Sequence, residues 1–126
     1  MSLGIDHDER LFKNLHPMDY DNGRISSTAF NPSSSHSFKL SVDRGALSSA
    51  KESFERHLGN GLVSIGVCGV LAHDFAYLSI TCICDPILGN SAHALADFGP
   101  FAKGDRKRKA RLLANLANEY GWDYTP

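Results

Sequence analysis

Phe38-Lys39-Leu40-Ser41-Val42-Asp43 (residues 38–43, FKLSVD) alternates apolar and polar side chains without a break. Successive side chains of a strand leave on opposite faces, so Phe38, Leu40 and Val42 share one side and Lys39, Ser41 and Asp43 the other. Such a strand is buried on one face and wetted on the other, as in an antiparallel sheet; a doubly wound parallel sheet uses strands that are apolar throughout. The segment therefore predicts a sheet covered by helices on one side, with three polar side chains aimed away from that core.

Working outward, Ser49 followed by Glu52 fits a capping box that opens a helix to about Leu58, and Gly59-Asn60-Gly61 stops it. Leu62–Leu71 (LVSIGVCGVL) and Tyr77–Cys84 (YLSITCIC) are β-rich and read as two central strands, divided by a polar interruption at Ala72-His73-Asp74-Phe75. Upstream, Arg10–Leu15 is a short strand or helical turn ended by His16-Pro17, since the residue before proline leaves the helical region. Asp19–Gly23 (DYDNG) is a turn, Arg24–Phe30 (RISSTAF) a strand and Asn31–Ser37 (NPSSSHS) an exposed loop. Downstream, Asp85-Pro86 and Gly89-Asn90 mark a loop, Ser91–Phe98 (SAHALADF) a strand with His93 inside it, and Asp105–Tyr120 a helix with Asp105 as N-cap and Gly121 as stop. Strands with only two helices among them give an α+β fold: one domain over 1–126, a mixed or mainly antiparallel sheet packed against two helices, with residues 1–9 as a flexible leader.

The 126 residues, 42% hydrophobic and 21% charged with a net charge of -1, suit one ordinary globular core. That balance excludes a disordered chain and a strong field for nucleic acid or membrane. The longest apolar run, Leu62–Ala72, falls well short of the roughly 18 to 20 residues of a spanning helix, and the N-terminus lacks the basic-then-apolar pattern of a secretory signal. Cys68, Cys82 and Cys84 are odd in number and lie in or beside apolar segments, as reduced structural thiols do, which predicts a cytoplasmic protein. Cys82 and Cys84 share a strand face but lack the partners a metal site needs. No P-loop, dinucleotide glycine motif, H-E-x-x-H or EF-hand occurs, so no metal and no cofactor is expected.

The chemistry then rests on scattered polar groups. His93, between small alanines that would let a ligand approach, is the leading candidate for acid-base work because imidazole titrates near neutral pH, with His16 the second. Arg24, Ser26, Ser27, Ser41 and Asp43 form the candidate binding set, with the guanidinium clamping an anion as a planar fork and the hydroxyls donating beside it. The competing reading makes the serines turn and cross-strand partners, Arg24 and Asp43 an ion pair, and His16 a cap. With no nucleophile elbow, Ser26 or Ser41 beside His93 and Asp43 is an inventory and no triad. Lys103, Arg106, Lys107, Arg108, Lys109 and Arg111 are the densest charge feature; Arg106, Lys107 and Arg108 would be the nucleic-acid contacts, against the simpler reading of a solvated helix face.

Four blocks, Leu15-His16-Pro17, Ser26–Phe30, Leu40–Asp43 and Asp85-Pro86 through Asn90–Ala94, resemble the shared pattern of a group of small uncharacterised bacterial proteins (SSxAF, LSVD, DPxxxNxAHA). The resemblance runs from about Leu11 to Leu113 and implies no activity, but it gathers His16, Arg24, Ser26, Ser27, Ser41, Asp43 and His93 as the polar members of its blocks. The expected function is an accessory module that binds an anionic small molecule or nucleotide, in a toxin, defence or paired-gene setting. The alternatives are a small enzyme acting on a nucleotide or nucleic acid, and a protein-interaction module with an unknown partner. Nucleic acid is the less favoured ligand, and a membrane is not expected as a partner.

Overall fold

In the computed structural model, which describes residues 4–126, the expected α+β architecture is present. Five strands, β1 (Arg10–Asn14), β4 (Lys39–Arg44), β5 (Val67–Leu71), β6 (Thr81–Cys84) and β7 (His93–Asp97), form one sheet in the order β5-β1-β4-β7-β6. Every neighbouring pair in it is antiparallel. β2 (Tyr20–Asp21) and β3 (Arg24–Ile25) make a separate hairpin, turned by Asn22 and Gly23 at φ 51° and 76°, the positive pair that a tight two-residue turn demands. The described residues also form three α-helices, α1 (Ala50–Gly59), α2 (Ala72–Tyr77) and α3 (Lys103–Tyr120).

The alternation at 38–43 sorts the faces. Leu40 and Val42 join Leu11, Val70, Ala94 and Ala96 in a core closed by Phe30, Phe75, Phe98 and the Ala110, Leu113, Ala114 and Ala117 stripe of α3. On the opposite face α1 covers only the β1–β5 end, where Phe54 packs with Phe12 and Val67. α1 reaches β4 at Asp43, and beyond it Ser41 and Ile83 on that face are exposed and Leu95 is half-buried. This open patch positions the site described below.

Several expectations need correction. β5 and β6 are the two edges of the sheet and not its centre; only Val67–Leu71 and Thr81–Cys84 of the two apolar runs are strand. The outer edge of β5 is satisfied by the C-terminal tail, with Val67 N–H donating to Tyr124 O at 2.8 Å and Asp123 N–H to Val67 O at 2.8 Å. The interruption at 72–75 is the start of α2: Asp74 accepts from Leu71 N–H at 2.9 Å, while Ala72 and Phe75, three apart on one helix face, enter the core. Of 24–30 only Arg24–Ile25 is strand; Ser27–Phe30 is a short 3-10 helix whose buried Ala29 and Phe30 pack toward α3. α3 begins at Lys103, capped by Ala102, and Asp105 sits inside its first turn bonding Arg108 at 2.9 Å.

Met1–Leu3 of the expected leader lie outside the described residues. Residues 5–9 are joined to the domain: Ile5 packs on the core, and both Glu9 carboxylate oxygens accept from Arg44 at 2.9 Å. Among the described residues no helix is long and apolar enough to cross a membrane.

Candidate functional site

The β4–β7 register sets Asp43 opposite His93 and Ser41 opposite Leu95, so Ser41 and His93 are diagonal neighbours on the open face. His93 Nε2 lies 3.1 Å from Ser41 Oγ. Its Nδ1 lies 2.9 Å from the Asp85 carbonyl oxygen and 3.1 Å from Asp85 Oδ2. Both groups at Nδ1 are acceptors, so the proton of the neutral ring resides there and Nε2 is left to accept from the serine hydroxyl. Asp85, at the end of β6, is held by its own N–H donating to His93 O at 2.9 Å. A carboxylate that fixes the tautomer, a ring nitrogen facing a hydroxyl, and an exposed serine to carry that hydroxyl are the parts needed to activate a nucleophile.

Asp43, placed by sequence beside these groups, has a different task. Its Oδ2 accepts from Ser53 Oγ at 2.5 Å and Arg56 Nη2 at 3.2 Å, and its Oδ1 from Asn90 Nδ2 at 2.7 Å. Arg56 also reaches Ser48 Oγ at 3.0 Å, and Asn90 Oδ1 accepts from Ala92 N–H at 3.1 Å. The carboxylate thus ties α1 to the 85–92 loop that presents Asp85 to His93. Its guanidinium partner is Arg56 and not the expected Arg24.

Ser41 also lines a cavity of about 270 Å³ with Lys13, Asp19, Thr28, His36 and Lys39. The cavity exists because β1 and β4 pair only at Leu11↔Arg44 and Phe12↔Asp43 and then part, leaving Lys13 without a residue opposite it on β4. Among the described residues the Lys13 ammonium has no hydrogen bond or ion pair, although its backbone carbonyl accepts from Cys68 Sγ at 3.6 Å. Burial pushes its ammonium below the usual lysine value, against the pull of Cys68, Asp19 and Asp43. Asp19 is itself engaged, accepting from Thr28 Oγ1 at 2.7 Å.

The other expected residues do not converge here. Arg24 is exposed on the hairpin, in a hollow with Asn115, Asn118 and Glu119, and its neighbour Ile25 donates to Asn118 Oδ1 at 2.9 Å. The hairpin is therefore on the α3 side of the sheet, opposite the face that carries His93 and Ser41. Ser26 bonds Asp19 O at 3.0 Å and Thr28 Oγ1 at 2.7 Å, Ser27 opens the following 3-10 helix, and His16 caps a turn by accepting from Met18 N–H at 3.0 Å. One arginine clamp with flanking serines is thus dispersed into three local structures.

On α3, Arg106 donates to Phe101 O at 2.5 Å and lies 3.9 Å over the Phe38 ring, and Arg108 pairs with Asp105. Lys109, expected on the solvent side, is buried and donates to Leu78 O at 2.8 Å. Of the Arg106, Lys107 and Arg108 set, Lys107 alone has no internal partner among the described residues. Cys68 and Cys82 are pushed up to about 12 by burial, which keeps them protonated and inert.

Sequence reasoning passed over Asp85 and Lys13. Asp85 stands in the same block as His93 but, followed by Pro86, carries only the signature of a loop. Lys13 interrupts the apolar run of β1 on its core-facing side, a conflict with the strand pattern that is itself a functional signal. No family model, curated protein or solved structure matches the chain.

Proposed function

We propose that this chain is a small cytoplasmic enzyme in which His93 activates Ser41 for attack on an ester of a small anionic molecule, a nucleotide being one such substrate. The observation that carries the reading is the continuous arrangement of Asp85, His93 and Ser41, with the serine lining the cavity that also holds Lys13. In the attack, the Ser41 oxygen forms a bond to the acyl carbon or phosphorus while its proton passes to His93 Nε2. The imidazolium so formed is stabilised by Asp85 and returns the proton to the departing alkoxide; water then releases the group from Ser41 by the reverse use of the same base. The expectation of an accessory module held by Arg24 loses its support, because that guanidinium is on the other side of the sheet from the hydroxyl and imidazole. Burial and high thiol pKa values favour a reducing compartment.

The test is covalent labelling with a fluorophosphonate, located by peptide mass spectrometry. Ser41 should take the label at a rate that Asp85→Asn lowers about 10-fold or more and His93→Gln abolishes, following the size of general-base effects. A folded wild-type protein with no label on Ser41, or labelling indifferent to His93→Gln, refutes the reading.

A further inference from the structure

We propose that the cavity beside Ser41 binds the phosphate group of the substrate, with Lys13 as its central cation; this deepens the reading of Ser41 as nucleophile and rests on it. The cavity wall carries two lysine ammoniums, Lys13 and Lys39, and the His36 ring, against the single carboxylate of Asp19. Asp19 and Asp43 act on Lys13 only through space, so its ammonium is left without a hydrogen-bonded counter-ion. An ammonium drawn out of water without a hydrogen bond costs stability unless an anion completes it. Polar groups of Asn31 and Ser33 line the same space and can donate to the several oxygens of a tetrahedral phosphate. At about 270 Å³ the space is below the usual range for drug-sized ligands, so it suits a phosphate with a sugar-sized remainder and not a dinucleotide.

Burial lowers the Lys13 ammonium, so approach of a dianion should raise its protonation and quench its nucleophilicity, which gives a direct readout. The experiment is pulse acetylation of the whole chain with acetic anhydride at pH 8, quantified per lysine, with inorganic phosphate, ribose 5-phosphate, AMP, ribose and adenosine as probes. The phosphomonoesters should slow Lys13 acetylation 5-fold or more and leave Lys107 unchanged, while ribose and adenosine do nothing. Lys13→Met should weaken AMP binding by calorimetry at least 10-fold while keeping the wild-type circular dichroism spectrum. Protection by inorganic phosphate but not by either monoester would overturn the substrate assignment, as would equal protection by adenosine. No protection by any probe, or unaltered AMP affinity in Lys13→Met, would overturn the site altogether. Ser41 labelling in the same wild-type sample reports separately: a labelled serine with Lys13 unprotected removes the phosphate assignment alone, and a protected Lys13 with an inert serine removes the chemistry alone.

Discussion

Replacing Asp43 with alanine tests how the site is held together. The carboxylate accepts three hydrogen bonds, from Ser53, Arg56 and Asn90. Hydrogen bonds to a charged group contribute about 1.5–3 kcal/mol each, and removing one partner of a buried ion pair costs about 3–5 kcal/mol. The Asp43 and Arg56 side chains are 13% and 23% exposed, so water partly compensates the orphaned guanidinium and the lower end applies. The expected loss is about 3 kcal/mol, a large share of the roughly 5–15 kcal/mol that a domain of this size has to spare. In urea titration followed by circular dichroism, the midpoint should fall with the slope unchanged, and the thermal midpoint should drop by roughly 10 °C. Because Asn90 is freed as well, the 85–92 loop loosens, and Ser41 labelling should fall although Asp43 hydrogen-bonds neither Ser41 nor His93. A stability loss under about 1 kcal/mol, or full labelling in a destabilised variant, would refute the coupling of α1 to that loop.

Gly69→Ala would drive a methyl to 2.7 Å from the Leu11 carbonyl oxygen and 3.0 Å from the Asp123 carboxylate, and should cost about 2 kcal/mol or more by thermal melting. Lys13→Met should stabilise the fold at pH 7 by about 1 kcal/mol, as replacements of a strained functional group do. The sign follows from the lowered value of Lys13: the unfolded chain binds this proton more firmly, so wild-type stability rises with pH toward 10.5. The advantage of the methionine variant should therefore shrink over that interval in parallel chemical melts. Cys68 and Cys82, protonated to about 12, should resist iodoacetamide at pH 8 in the native protein and react rapidly in urea. Their effect on stability has the opposite sense, full below the usual thiol value of 9.0 and lost as pH climbs toward 12.

What could be read from the residues alone is what local physics decides. The alternation at 38–43, the Ser49–Glu52 capping box and the apolar period of α3 each encode their element within one or two turns or a single strand, and each is found where expected. Sheet order is not local: β5 and β6 look central because both are rich in β-branched and apolar residues, yet β5 is buried at an edge by the chain's own tail. The 72–77 helix was hidden because it exposes His73, Ala76 and Tyr77 and buries its apolar pair in one turn. At the site, the Ser41–His93 meeting depends on a cross-strand register, and Asp85 joins them only because the loop folds back. Arg24 looked like their partner by proximity along the chain, but a two-residue turn carries it to the far side.

The pairing of Val67 with Asp123 and Tyr124 has a meaning beyond packing. An uncovered edge strand offers its free amides and carbonyls to any other extended chain, and β5, apolar on both faces, would be a ready template for such addition. The last residues act as a sacrificial strand that occupies those groups first, and Arg10 latches it in place through both oxygens of Asp123 at 2.7 Å. Removing residues 122–126 should make the protein self-associate through this edge more than the intact chain does, visible as a higher light-scattering signal.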